Sequence, residues 1–415
     1  MRLLTLSNFY PPHHVSGYAM LCSDVVDGLR DRGHEVTVLT STLGHANPTV
    51  EGHVHRLLAL ESPLDYYRPI ESLSYPLRNR RNLGHLHHLV DTTRPDIIFV
   101  WGMWNLSKRL AEAAEALRLP RVVYYLANPW PIEPNQHRAY WSLPTRRPWL
   151  GWVKACCRTG IKVVLRSEWQ DVPLAFEHAP CCSGALRNQL MGAGVPLKNA
   201  PTIYEGIDVE SFVAHGTRRR WPEDGAALSL VYVGLLVPHK GVHTAVEALS
   251  QLPRESLARV RLTILGSGHP DYERQLRELV AARELSPNVT FVDPIPRAEL
   301  PRFLADHHVL VMPSIWEEPL ALIMQEGLAS GLVVVGSATG GTTEIIRDGE
   351  NGLLFGPGDS ARLAEHIGRL ASEPKLCDSL GRSGQQTATS TFALRRMVDD
   401  IEAYLVNVLA DSRPV

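Results

Sequence analysis

No stretch of this chain approaches the ~18 consecutive apolar residues that a membrane-crossing helix needs, so no spanning segment is expected. A dominant charge sign is also missing: 42 Lys and Arg stand against 44 Asp and Glu. A net charge of −2 provides no global attraction to nucleic acid, and no nucleic-acid partner is expected. Cysteine is sparse. Cys22, Cys156, Cys157, Cys181, Cys182 and Cys377 form no CxxC pair and have no zinc-ligand spacing. Six in 415 residues exclude a disulfide framework and fit free thiols in a reducing compartment. The cluster "HLHHL" at 85–89 has no accompanying carboxylate or cysteine, so neither a metal nor a cofactor is expected. The opening "MRLLTLSNFYPP" carries too short an apolar run for a secretory signal. The expected location is cytoplasmic, with peripheral contact at a membrane left open.

What is present is an ordinary globular composition, 44% hydrophobic and 21% charged, in a length that predicts two or three domains. The first part alternates strand and helix. "RLLTLS" and "HEVTVLT" predict strands on either side of a helix with apolar spacing at Met20, Leu21, Val25, Val26 and Leu29. "DIIFVWG" (96–102) and "RVVYYLA" (121–127) predict two more strands around a helix at 106–119. The pattern restarts at "LSLVYVG" (228–234) and continues through "VRLTILGSG", "VTFVD", "HVLVMPS" and "LVVVGSA". Alternation of this kind predicts α/β architecture with two doubly wound parallel sheets. The predicted division is 1–214 for the first domain, the polar segment 215–226 as linker, 227–390 for the second domain, and a closing helix in 391–415. In such sheets ligands sit beyond the C-terminal strand ends, and the space between two halves is the default site.

Two segments carry chemistry. "WEEPLALIMQE" (316–326) follows a strand and keeps carboxylates at Glu318 and Glu326 around an apolar run. Pro319 predicts a helix start, because its missing N–H costs nothing at a first helical position. A helix N-terminus suits a diphosphate, and carboxylates suit paired sugar hydroxyls because they accept without donating. An ordinary first-turn charge and an ordinary solvated glutamate explain the same two residues. "VYVGLLVPHKG" (231–241) places Gly234 in a turn and Lys240 at a helix start, where an ammonium meets phosphate as a point charge. "PPHHVSGY" (11–18) is a loop containing Gly17 ahead of the first helix.

The order of these motifs resembles family 4 of the retaining nucleotide-sugar glycosyltransferases with the GT-B fold. The resemblance runs nearly end to end, through "RGHEVTVLT", "CSGALRNQL", "EGIDVESF", "VGLLVPHKGV", "MPSIWEEPLALIMQEGLASGLVVV" and "GGTTEIIRDGENGLLFGPGD". It implies two Rossmann-like domains and a closing helix that returns to the first. Glu318 looks like the family's first motif glutamate near the donor sugar hydroxyls, and Glu326 like the second, on the ribose. Lys240 looks like the lysine on the diphosphate, with Lys240 and Glu318 as the catalytic candidates. Gly234, Gly17 and backbone N–H groups at Leu320, Ala321 and Leu322 look like further donor contacts. The sequence departs from the family in several places. Leu235 stands where an Arg is usual, and Tyr18 follows Gly17 where a second glycine is frequent. Ala127 and Asn128 stand where His-Asp is common, Phe99 and Trp101 stand where a His-containing pair is common, and Glu205 stands where the family has Asn.

Acceptor-side candidates are Asn128, Trp130 and Tyr18. Lys154, Arg158, Lys162 and Arg166 recur every four residues after Arg146, Arg147, Trp149 and Trp152, the pattern of a basic face against anionic lipid or a lipid-linked acceptor. A solvated face explains the pattern too. The expected function is transfer of a sugar from a nucleoside diphosphate-sugar to a hydroxyl acceptor, with retention and without metal. A non-catalytic nucleotide-sugar binder and a GT-B epimerase or phosphorylase are the alternatives.

Overall fold

The computed structural model describes residues 1–13, 17–64, 67–117, 120–144, 148–216 and 227–411. Residues 217–226 of the expected linker, Arg146 and Arg147, and part of the loop before Gly17 lie outside the described residues. Two compact units emerge. The first comprises Met1–Cys182, Leu186–Ile203 and Val398–Val415, and the second Ser183–Ala185 and Tyr204–Met397.

In the first unit the strands β1 (Arg2–Ser7), β2 (Glu35–Ser41), β3 (Thr49–Glu51), β4 (Val54–Leu58), β5 (Ile97–Gly102) and β6 (Arg121–Tyr124) form one sheet. Its order is β3-β4-β2-β1-β5-β6, and only β3 runs antiparallel, against β4. Leu3 of β1 lies beside Val36 on one side and Ile97 on the other. β5 is buried along all six residues, as a parallel strand covered on both faces must be. The helix Gly17–Asp31 buries Leu21, Cys22, Val25, Val26 and Leu29, the face its spacing predicts. Of the segment predicted as helix over 106–119, the described residues are helical over Arg109–Glu115. The run predicted as strand to 127 is regular strand over Arg121–Tyr124 and continues as an isolated bridge from Leu126 to Cys181.

In the second unit β7 (Leu228–Val233), β8 (Val260–Leu265), β9 (Val289–Val292), β10 (Val309–Met312), β11 (Val333–Ser337) and β12 (Leu353–Phe355) are all parallel, in the order β12-β11-β10-β7-β8-β9. The winding direction reverses between β7 and β10, so the ends of these two strands flank the topological switch point. β10 and β11 are buried throughout. Residues 204–216 belong to this unit, so the boundary falls earlier than the predicted 214. The cause is the helix Val209–Gly216, which buries Val209 and Phe212 and packs on the helices Leu300–Ala305 and Leu322–Ala329. The final helix is Leu394–Ala410. Its residues from Val398 group with the first unit, where Arg32 pairs with Asp399 and Glu402, each at 2.5 Å.

Candidate active site

The site in the second unit is built from the two chain segments that leave β7 and β10. After β7 the chain turns at Gly234 and reaches a single 3-10 turn, Pro238–Lys240. Lys240 therefore closes that turn, and the helix Val242–Ser250 starts just beyond it. Between them Gly241 takes φ +67°, and a Cβ there would lie 1.9 Å from the carbonyl oxygen of Pro313. Only glycine lets these two segments touch. The contact brings Lys240 Nζ to 2.7 and 2.6 Å from the two carboxylate oxygens of Glu318. Ser314 Oγ and Trp316 Nε1 also donate to that carboxylate, at 3.1 and 3.0 Å, and Lys240 lies 5.7 Å from the centroid of the Trp316 ring. Glu318 is buried, and its charge is met by three donors.

The helix after β10 begins at Leu322, with Ala321 extended before it, and not at Pro319. The physical reason lies in the Gly-rich turn after β11. Gly340 N–H donates to Glu317 Oε2 at 2.7 Å, and Gly341 N–H donates to the Glu318 carbonyl at 2.8 Å. A Cβ on Gly340, which has φ +46°, would meet that same carbonyl oxygen at 2.0 Å. Held in this way, 317–321 cannot coil into the first turn. Leu322 opens the helix, so of the three expected backbone donors only Leu322 is helical; Leu320 is buried in the extended segment. Glu326 then sits about one turn into the helix, on the order of 6 Å along its axis.

Glu326 is 2% exposed, and burial raises its carboxyl above the usual range against the pull of Arg297. A guanidinium nitrogen of Arg297 stands 2.8 Å from Glu326 Oε1, off the line a hydrogen bond needs, and that oxygen has no hydrogen-bond partner. Glu205 is buried as well. Burial first, and the charge of Glu318 second, push its carboxyl up to about 8, so it is largely protonated at neutral pH.

In the first unit Gly17 is the first residue of its helix. Tyr18 donates through its hydroxyl to the Tyr125 carbonyl at 2.9 Å and stacks on Trp101 at 5.4 Å. Asn128 caps a turn by accepting from Trp130 N–H at 3.2 Å. Trp130 is buried against Tyr124 and Phe176, a packing role. A cavity of about 690 Å³ is lined by Lys108, Glu133, Asn135, Arg138 and Asp171 among others. The basic series is not one free helical face. The Lys154 ammonium donates to the carbonyls of Tyr140 and Leu143, Lys162 lies over the Trp169 ring, and the helix Pro148–Val164 ends before Arg166. Its exposed surface also includes the apolar Trp152 (79%) and Val163 (72%). No helix among the described residues is long and apolar enough to cross a membrane.

Sequence reasoning missed Ser314 and Trp316 as partners of Glu318, although both lie in the quoted segment. It missed Arg297 entirely, because nothing local marks a residue that reaches its partner only through the fold.

The second sheet is wholly parallel and the first is parallel but for β3, and Lys240, Glu318 and Glu326 lie on the segments that leave the switch point of the second. Residues 15–211 match the profile of Glycosyltransferase Family 4, and residues 217–387 match that of Glycosyl transferases group 1. The chain belongs to the family 4 glycosyltransferases of the GT-B fold. It is 27% identical over 418 aligned positions to glycogen synthase of Mycobacterium tuberculosis (strain ATCC 25618 / H37Rv), covering 94% of this chain and 91% of that one. To spore coat protein SA of Bacillus subtilis (strain 168) it is 28% identical over 221 residues, 48% of this chain and 56% of that protein, so it matches little more than half of that relative. Among solved structures, Anabaena Alr3699/HepE in complex with UDP-glucose superposes with a TM-score of 0.66 at 20% identity, over 98% of this chain and 100% of that one.

Proposed function

We propose that this glycosyltransferase moves a sugar from a nucleoside diphosphate-sugar to a hydroxyl acceptor with retention of anomeric configuration and without a metal ion. The observation that carries the proposal is the Lys240–Glu318 pair at the switch point, beside a helix start that holds Glu326 one turn further on. An incoming diphosphate competes with Glu318 for the Lys240 ammonium. That frees Glu318 to accept from the sugar hydroxyls, while Glu326 accepts from the ribose hydroxyls. The N–H groups of Leu322 and Ile323, at the helix start, face no intrahelical acceptor and, with Lys240, meet the charge that grows on the leaving diphosphate. Gly234, in the turn after β7, stands as a further donor contact. The bond from the anomeric carbon to the diphosphate breaks, the bond to the acceptor oxygen forms on the same face, and the acceptor proton passes to a departing phosphate oxygen.

The experiment is a transfer assay across nucleotide-sugars and hydroxyl acceptors, with UDP-glucose first because the Anabaena protein is solved with it. Proton NMR reads the anomeric configuration of the product. Retained configuration with turnover unchanged by EDTA supports the proposal. Inversion, or sugar release that depends on inorganic phosphate, overturns it. Leu235, 55% exposed where the family often has Arg, favours a second reading, a nucleotide-sugar binder without turnover; donor binding with no product selects it. On the acceptor side, Tyr18 and Asn128 stand as candidates, with the buried Trp130 as support for the turn. The exposed Trp152 and Val163, on a helix that also exposes Arg158 and Lys162, support peripheral contact with an anionic lipid surface.

A further inference from the structure

Glu326 presents an unusual problem for a carboxylate. It is 2% exposed, and burial of a charge without a partner drives a carboxyl to take up a proton instead. A protonated carboxyl has one O–H donor and loses half of its acceptor capacity, so it cannot take two hydroxyl protons side by side. The elements packed on its helix are β10, β11 and the helices Val209–Gly216 and Pro374–Thr391. Among the described residues, one charged group acts on Glu326, the Arg297 guanidinium. Its nitrogen is 2.8 Å from Oε1, yet Oε1 has no hydrogen bond, so a buried acceptor beside a cation is still unmet. Arg297 sits in the 3-10 turn Arg297–Glu299, which follows Pro296 and runs directly into the helix Leu300–Ala305 with Pro301 in its first turn. The prolines fix the backbone φ around the turn, so the arginine approaches from a stiff base.

We infer that Arg297 is a positioning residue of the nucleotide pocket: it keeps Glu326 ionised and aimed so that the carboxylate accepts the two vicinal hydroxyls of the donor's ribose. The inference rests on the donor-site function proposed above. Arg297 touches the Glu326 carboxylate, so its effect must appear in recognition of the ribose.

The test is calorimetric titration of the full chain with a nucleoside diphosphate and with its 2′,3′-dideoxy analogue, starting with UDP. Wild type is expected to favour the ribose form by about tenfold or more, the scale of hydrogen bonds to a charged acceptor. In Arg297→Gln that preference falls towards one, with affinity for the dideoxy form unchanged, and Arg297→Lys keeps most of it. Glu326→Gln removes the same preference, and Arg297→Gln added to Glu326→Gln has no further effect. An unchanged ribose preference in Arg297→Gln overturns the inference while leaving the donor site standing. So does an increased preference, which makes Arg297 a competitor of the ribose. Should Arg297→Gln not fold, the Lys variant decides: loss of its preference despite a retained cation contradicts the inference. No binding of any nucleoside diphosphate to wild type overturns the donor site and the inference together.

Discussion

Replacing Glu205 by Gln should change how stability depends on pH. The Glu205 carboxyl is buried and lies near the charge of Glu318, which together push it up to about 8 from an ordinary 4.5. An acid whose folded pKa is raised binds its proton more tightly in the folded state than in the unfolded chain. The folded state therefore has its full advantage below pH 4.5 and loses it progressively as pH rises to about 8. A tenfold difference in proton affinity is worth on the order of 1.4 kcal/mol, so the loss across that window is roughly 3 to 5 kcal/mol. Glutamine keeps the size and neutrality of the protonated acid and does not titrate. At pH 5 the two proteins should have stabilities from urea unfolding within about 1 kcal/mol of each other; at pH 8.5 the Gln variant should be the more stable by roughly 3 kcal/mol. Glu61 in the first unit is buried with its carboxyl also pushed up to about 8, and it cancels in the difference. Parallel stability profiles for the two proteins from pH 5 to 8.5 would refute the reasoning. They would mean that Glu205 is hydrated or already paired, and that its neutral form does not replace the neutral Asn common in the family.

Gly340→Ala should destabilise the protein by about 2 kcal/mol or more, because its left-handed φ is compounded by a Cβ 2.0 Å from the Glu318 carbonyl oxygen. Thermal unfolding checks this, and an unchanged midpoint means the 340–341 turn does not clamp the 317–321 segment. For the exposed helix Pro148–Val164, Val163→Asp should reduce sedimentation with vesicles containing anionic phosphatidylglycerol at least severalfold, and leave binding to neutral phosphatidylcholine vesicles at its low baseline. Equal sedimentation of wild type and variant would leave Trp152 and Val163 as plain surface. Glu318→Gln should weaken transfer by about 10² or more, the scale seen when a group that stabilises a transition state is removed, in the assay of anomeric configuration described above. Near wild-type turnover would place the sugar hydroxyls elsewhere.

Much of the fold was legible because its signal is local and repeated. Leu21, Val25, Val26 and Leu29 declare one helical face, and the runs at 96–102 and 309–312 declare strands covered on both sides. The domain boundary was less legible. Phe212 looks the same whether its helix closes the first domain or packs on the second, and only its contacts with Leu300–Ala305 and Leu322–Ala329 decide. The candidate site was legible where chemistry is written in adjacent residues, as at Trp316–Glu326. It was misread by three residues at the helix start, because Pro319 is a good first helical residue in isolation. Hydrogen bonds from Gly340 and Gly341, distant in sequence, hold it extended instead. The basic spacing at Lys154, Arg158, Lys162 and Arg166 was real, but nearby carbonyls and the Trp169 ring occupy two of those cations. The place of Lys240 after β7 was legible, whereas its partner Glu318 emerged only from the meeting of the segments after β7 and β10.

The most direct measurement is calorimetric titration of nucleoside diphosphates, beginning with UDP, into wild type, Lys240→Ala and Glu326→Ala. With a donor site at the switch point of the second sheet, one nucleotide series binds wild type saturably. Lys240→Ala then loses affinity for the diphosphate but keeps the weak affinity for the nucleoside alone, and Glu326→Ala loses most of the preference for ribose over dideoxyribose. Equal affinity of all three proteins for the same nucleotide would contradict it, because neither the lysine nor the glutamate would then touch the donor.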